Sequence, residues 1–129
     1  MPYTTITTPE ARPVANYKMA TRMEGGRLLY IAGQVARDAE GNVLAPGDIR
    51  TQAREVFQNV QRVLQAAGGD LPDLLKMTTY ITRREDVPTV AEIRQQFIPG
   101  ELPASTLIVV SRLAQPDLLI EVEGMAAID

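Results

Sequence analysis

The stretch Gln52-Ala53-Arg54-Glu55-Val56-Phe57-Gln58-Asn59-Val60-Gln61-Arg62-Val63-Leu64-Gln65-Ala66-Ala67-Gly68-Gly69 decides the architecture of this chain. Ala53, Val56, Phe57, Val60, Val63, Leu64 and Ala67 stand at offsets 0, 3, 4, 7, 10, 11 and 14. That spacing gathers them on one side of an α-helix. Gln52, Arg54, Glu55, Gln58, Gln61 and Arg62 fall off the stripe and are expected to face away from it. Gly68-Gly69 ends the helix as a C-terminal cap does. A helix with a single apolar stripe has to rest on another layer, so its neighbours should supply a sheet.

They do. Downstream, Leu75–Thr82 is rich in β-branched and aromatic residues and reads as a strand. Asp86 is placed to cap a second helix, with Pro88 in its first turn and Val90, Ile93 and Phe97 as its stripe. Pro99-Gly100 closes it, and two more strands follow, Ala104–Val110 and Leu118–Ala126, around a Gln115-Pro116-Asp117 loop. Upstream, Tyr17–Met23 and Arg27–Ala32 flank Glu24-Gly25-Gly26, the glycine-rich turn of a hairpin. The expected fold class is α+β, a two-layer sandwich with two helices on one face of a β-sheet, spanning residues 1–129 as a single domain.

Composition prunes the chemistry. There is no histidine and no cysteine, which removes histidine-dependent serine or cysteine nucleophiles and zinc sites built on nitrogen and sulfur. No Asp-x-Asp-x-Asp-Gly loop is present to hold a metal on oxygen ligands, so no metal is expected. Neither glycine pair belongs to a dinucleotide or P-loop motif. The net charge of −3 and the lack of a basic stripe argue against nucleic acid as a partner. No apolar run is long enough to span a bilayer, and the N-terminus does not read as a signal peptide, so a cytoplasmic protein with no membrane partner is expected.

The strands carry apolar residues on both faces, with Leu107 and Val109 on one side and Thr106, Ile108 and Val110 on the other. Two helices cover one face only. The other needs a second cover, and self-association is the simplest, with ligand pockets expected between subunits.

Several side chains are candidates for chemistry. Glu121 and Glu123 share one face of the last strand and could act as acid and base, or simply form a solvated or salt-bridged face. Tyr17 could donate a hydrogen bond into a pocket or cap a sheet edge. Lys76 reads as a desolvated amine, an exposed strand residue or half of an ion pair. Ser105 and Thr106 have no histidine base to activate them, which leaves them hydrogen-bonding roles.

Four segments together are more specific than any of these residues: Ile31-Ala32-Gly33-Gln34-Val35, the helix from Gln52 to Gly68, Leu75–Thr82, and Pro103-Ala104-Ser105-Thr106 through to Glu121-Val122-Glu123-Gly124. In order and spacing, from about Tyr17 to the C-terminus, the chain resembles the Rid (YjgF) family. The resemblance implies a homotrimer of chorismate-mutase-like sandwiches with small-metabolite clefts between subunits. It also implies cofactor-independent hydrolysis of reactive enamines and imines to a 2-oxo acid and ammonia. By this resemblance Tyr17 is the pocket tyrosine, Gly33 lines the cleft with Ala32 in place of a serine, and Glu121 activates water. Ser105 stands where deaminating members place an arginine that clamps the substrate carboxylate, and Leu107 where many have a cysteine. Serine offers neither the charge nor the fork of a guanidinium, a loss of roughly 2–5 kcal/mol for a buried charge-assisted contact. Two functions follow: an imine- or enamine-hydrolysing enzyme with altered specificity, or a non-catalytic trimeric metabolite-binding or stress-related accessory protein. An endoribonuclease fits poorly with an acidic chain that has no histidine.

Overall fold

The computed structural model describes residues 2–129. Strands β1 (Tyr3–Ile6), β2 (Ala20–Met23) and β3 (Arg27–Gln34) are followed by helix α1 (Ile49–Ala66), strand β4 (Leu74–Ile81), helix α2 (Val87–Phe97), and strands β5 (Ala104–Val109) and β6 (Ile120–Ile128). β1 and β2 form a small antiparallel pair, and the main sheet runs β3-β6-β4-β5. Within it only β4 and β5 are parallel, and α2 makes the crossover between them. The two helices share one face of the sheet, the α+β sandwich that the sequence predicts.

The apolar stripe of α1 is the centre of the core. Ala53, Val56, Phe57 and Leu64 are fully buried against Ile31, Met77, Ile120 and Val122. Asp48 caps this helix by accepting the Thr51 N–H, and Gly68 beyond its end has φ +88°. In α2, Val90 and Ile93 are buried as expected. Asp86 precedes that helix but its carboxylate makes no cap; it accepts from Arg83 Nε at 2.8 Å instead. An arginine within reach offers a stronger partner than a neutral backbone amide.

Two expectations are corrected. The hairpin between residues 17–23 and 27–32 does not form. β2 pairs with β1, a strand near the N-terminus, while Arg27 begins β3 opposite Ile128 of β6. Gly26 does reverse the chain, with φ +79°, and a Cβ there would stand 2.8 Å from the Ile128 carbonyl oxygen. A glycine turn permits a change of direction without choosing the edge that follows. The nine-residue β6 offers β3 a longer ladder than the four-residue β2 could.

The second correction is Gln52. Although off the apolar stripe, it is completely buried. Its Nε2 donates to the carbonyls of Leu44, Ala45 and Asp117, and its Oε1 accepts the Leu119 N–H at 2.8 Å. One amide thus ties α1 to the loop before it and to the chain entering β6.

Candidate active site

Glu121 and Glu123 lie on the sheet face opposite the helices, while Ile120 and Val122 are buried beneath α1. The face is polar at its middle. Glu121 is registered with Tyr80 and Glu123 with Thr78 of β4. Tyr80 donates its phenolic hydrogen to Glu123 Oε1 at 2.7 Å, and that bond raises the Tyr80 pKa above the usual phenol value.

Gly33 meets Glu121 through a β-bulge. Between Ile31, opposite Gly124, and Gln34, opposite Val122, β3 has one residue more than β6. Ala32 and Gly33 occupy that irregularity, which turns the local backbone toward the neighbouring strand. A Cβ added at Gly33 would overlap the Glu121 carboxylate, 2.7 Å from its Cδ. The predicted pair is therefore brought into contact, and only glycine leaves room for it. Ala32 is exposed beside them.

Tyr17, Ser105 and Leu107 gather elsewhere. They line one cavity of about 630 Å³ at the β5 edge of the sheet, alongside Lys18, Lys76 and Arg94. Residues 16–18 are fastened to the strand entry. Asn16 Nδ2 donates to the Gly100 carbonyl at 2.7 Å, the Leu102 N–H donates to the Asn16 carbonyl at 2.7 Å, and Lys18 bridges Ala104. The Tyr17 hydroxyl accepts the Val14 N–H at 3.4 Å.

The predicted site residues thus form two groups. Glu121 lies on β6 and Ser105 on β5, with β4 between, so two strand spacings of about 4.8 Å each separate their backbones. Lys76 links the groups. It lines both the 630 Å³ cavity and a 360 Å³ hollow shared with Tyr30, Ala32 and Glu123. Its Nζ donates to Thr106 Oγ1. Burial lowers its pKa, opposed by the charge of Glu123. Arg94 stands at the stripe spacing of α2, four residues after Val90 and three before Phe97, and escapes sequence analysis because only its apolar neighbours read as the buried face. Arginine at such a position is normally a solvated charge.

Among the described residues, no group of three or more acidic side chains is arranged to hold a metal ion. No helix is long and apolar enough to cross a membrane.

Comparison with known proteins agrees with this fold. The endoribonuclease L-PSP family model matches residues 7–128. A RutC family protein of Pyrococcus horikoshii is 35% identical over 115 residues, 89% of each chain. A 2-iminobutanoate/2-iminopropanoate deaminase of Dermatophagoides farinae is 27% identical over 96% of this chain and 95% of its own. In structure, a Rid-family protein of unknown function from Yersinia pestis superposes with a TM-score of 0.86 at 30% identity, covering 99% of this chain and 100% of that one. RidA from an Antarctic Psychrobacter gives 0.72 at 28%, covering 97% and 99%.

Proposed function

The chain belongs to the endoribonuclease L-PSP family, the Rid proteins, and on that premise we propose that it hydrolyses an imine or enamine to a carbonyl compound and ammonia. The observation that carries the proposal is the Glu121 carboxylate seated against the Gly33 backbone on the uncovered sheet face. A carboxylate there can hold a water by one oxygen and accept its proton as the water oxygen bonds to the C=N carbon. Glu121 passes that proton to the imine nitrogen, which yields the carbinolamine and restores the carboxylate. The carboxylate then takes the hydroxyl proton and delivers it to the amino nitrogen as the C=O forms, the C–N bond breaks and ammonia leaves. An enamine enters the same sequence after protonation at its terminal carbon. Neither histidine nor cysteine is needed, and no cofactor takes part.

Clefts between subunits of a homotrimer complete the site in this proposal. Support comes from the division of the candidate residues into two groups, neither of which has both the carboxylate and the cationic cavity. Tyr17, Ser105 and Leu107 bind the small metabolite, and Ala32, Gly33 and Glu121 provide the water chemistry. The reaction takes place in the cytoplasm.

The test uses imines generated in situ by an amino acid oxidase, with semicarbazide competing for them. Wild type is expected to accelerate release of the carbonyl product, and Glu121→Ala to lower the rate by about 100-fold or more, within the range for a lost general acid–base. Equal rates for wild type, Glu121→Ala and buffer would leave the non-catalytic, metabolite-binding alternative, which the serine at position 105 favours.

A further inference from the structure

The cavity beside Ser105 has an arginine after all. Arg94 lies in the last turn of α2, half-buried, and lines the same 630 Å³ cavity as Tyr17, Ser105 and Leu107. Arg22, Arg50, Arg62 and Arg83 each hold a carboxylate. Arg94, by contrast, has no ion-pair or side-chain hydrogen-bond partner among the described residues. Burial alone lowers its pKa, with no acidic neighbour acting against it. Guanidinium stays protonated under such conditions, so an unpaired charge with free donors borders the cavity.

The rest of the lining has the same sign. Lys18 and Lys76 are also present, and no aspartate or glutamate is. Three cations without an acid stand against the −3 charge of the whole chain. The lysines are already engaged: Lys18 Nζ donates to the Leu102 carbonyl at 3.0 Å and lies 3.7 Å from Glu101, and Lys76 donates to Thr106. Each ammonium still has a donor free, but Arg94 alone of the three has no partner at all among the described residues, and its planar fork is the one that fits a carboxylate.

We propose that Arg94 is the anion anchor of this cleft, gripping the carboxylate of a 2-imino or 2-enamino acid from α2 instead of from position 105 on β5. The proposal rests on the deaminase reading above and narrows its substrate class to carboxylated imines. Serine at 105 fits the arrangement because a small hydroxyl leaves the β5 side open and can donate one hydrogen bond to the same carboxylate. Leu107 offers an apolar wall for a short alkyl group. Carboxylate and guanidinium match in a bidentate pair.

The probes are 2-oxobutanoate and its uncharged amide, titrated calorimetrically into intact wild type and Arg94→Gln. Wild type should prefer the acid. Arg94→Gln should lose roughly 10- to 100-fold in affinity for the acid, equivalent to about 1.4–2.8 kcal/mol, and keep its affinity for the amide. With the imine of 2-aminobutanoate, Arg94→Gln should raise KM by a similar factor with kcat nearly unchanged, as loss of uniform binding does. Arg94→Lys, which keeps the aliphatic stem and the charge, serves if Arg94→Gln unfolds, and should lose part of the affinity. Equal affinity of wild type for acid and amide, or an unchanged KM in Arg94→Gln, overturns the anchor while imine hydrolysis by wild type upholds the deaminase. Binding of the acid that depends on Arg94, without hydrolysis of any imine, upholds the anchor and overturns the deaminase. Neither binding nor hydrolysis overturns both.

Discussion

Gly33 and Glu121 are 88 positions apart in the chain, and the carboxylate of one occupies the space where the other would need a Cβ. In the proposed mechanism that contact gives Gly33 a positioning role. The clash from a methyl group at 33 falls on the far end of a flexible side chain, so Gly33→Ala should displace the carboxylate and leave the sheet intact. The expected result is a kcat lower by about 10- to 100-fold, the scale of a misplacement near 1 Å, with a thermal midpoint close to wild type. A variant as active as wild type would mean that Glu121 does not act from this position. The family resemblance picks out both residues. Their contact is not legible in the sequence, because it depends on the bulge that turns β3 toward β6. Arg94 is illegible for a different reason: a cation at the stripe spacing of a helix reads as the edge of its apolar face unless the packing around it is known.

At the scale of elements, helices are the easiest to read, because their pattern is local. Every stripe residue of α1 except Val63 and Ala67 is buried, and α2 buries Val90 and Ile93. Gln52 shows the limit of a stripe. It is buried because four backbone groups from residues 44, 45, 117 and 119 converge on its amide, and none of them is near it in a helical pattern. Gln52→Leu would fill the space but leave those groups unsatisfied. It should cost about 2–4 kcal/mol, measured by urea denaturation, and a loss below about 1 kcal/mol would mean that water replaces the amide. The β2–β3 hairpin fails for a related reason. Turn residues announce a reversal, whereas pairing is settled by which strand offers the longer ladder.

Across the whole molecule, one sheet face is covered by helices and the other is open. Tyr30 on that open face is 73% exposed, Met125 is exposed in register with it on β6, and Ile108 is exposed at the far β5 edge. A patch of this kind on a small domain calls for a partner surface, and the proposed trimer supplies one. Tyr30→Glu would place a charge in the interface, so light scattering should find three chains per particle for wild type and a smaller, concentration-dependent mass for the variant. A wild-type monomer would remove the inter-subunit cleft from the mechanism. Composition, helical stripes, the order of elements and the alternation that puts both carboxylates of β6 on one face are written in short-range pattern. That is why the fold class can be read without coordinates, while the choice of Glu121 over Glu123 comes from the family resemblance. The pairing of β2 with β1, the burial of Gln52, the separation of Glu121 from Ser105, and the arginine that faces Ser105 from another element belong to the tertiary structure alone. Each depends on groups far apart in the chain meeting in space, and local periodicity contains no information about such meetings.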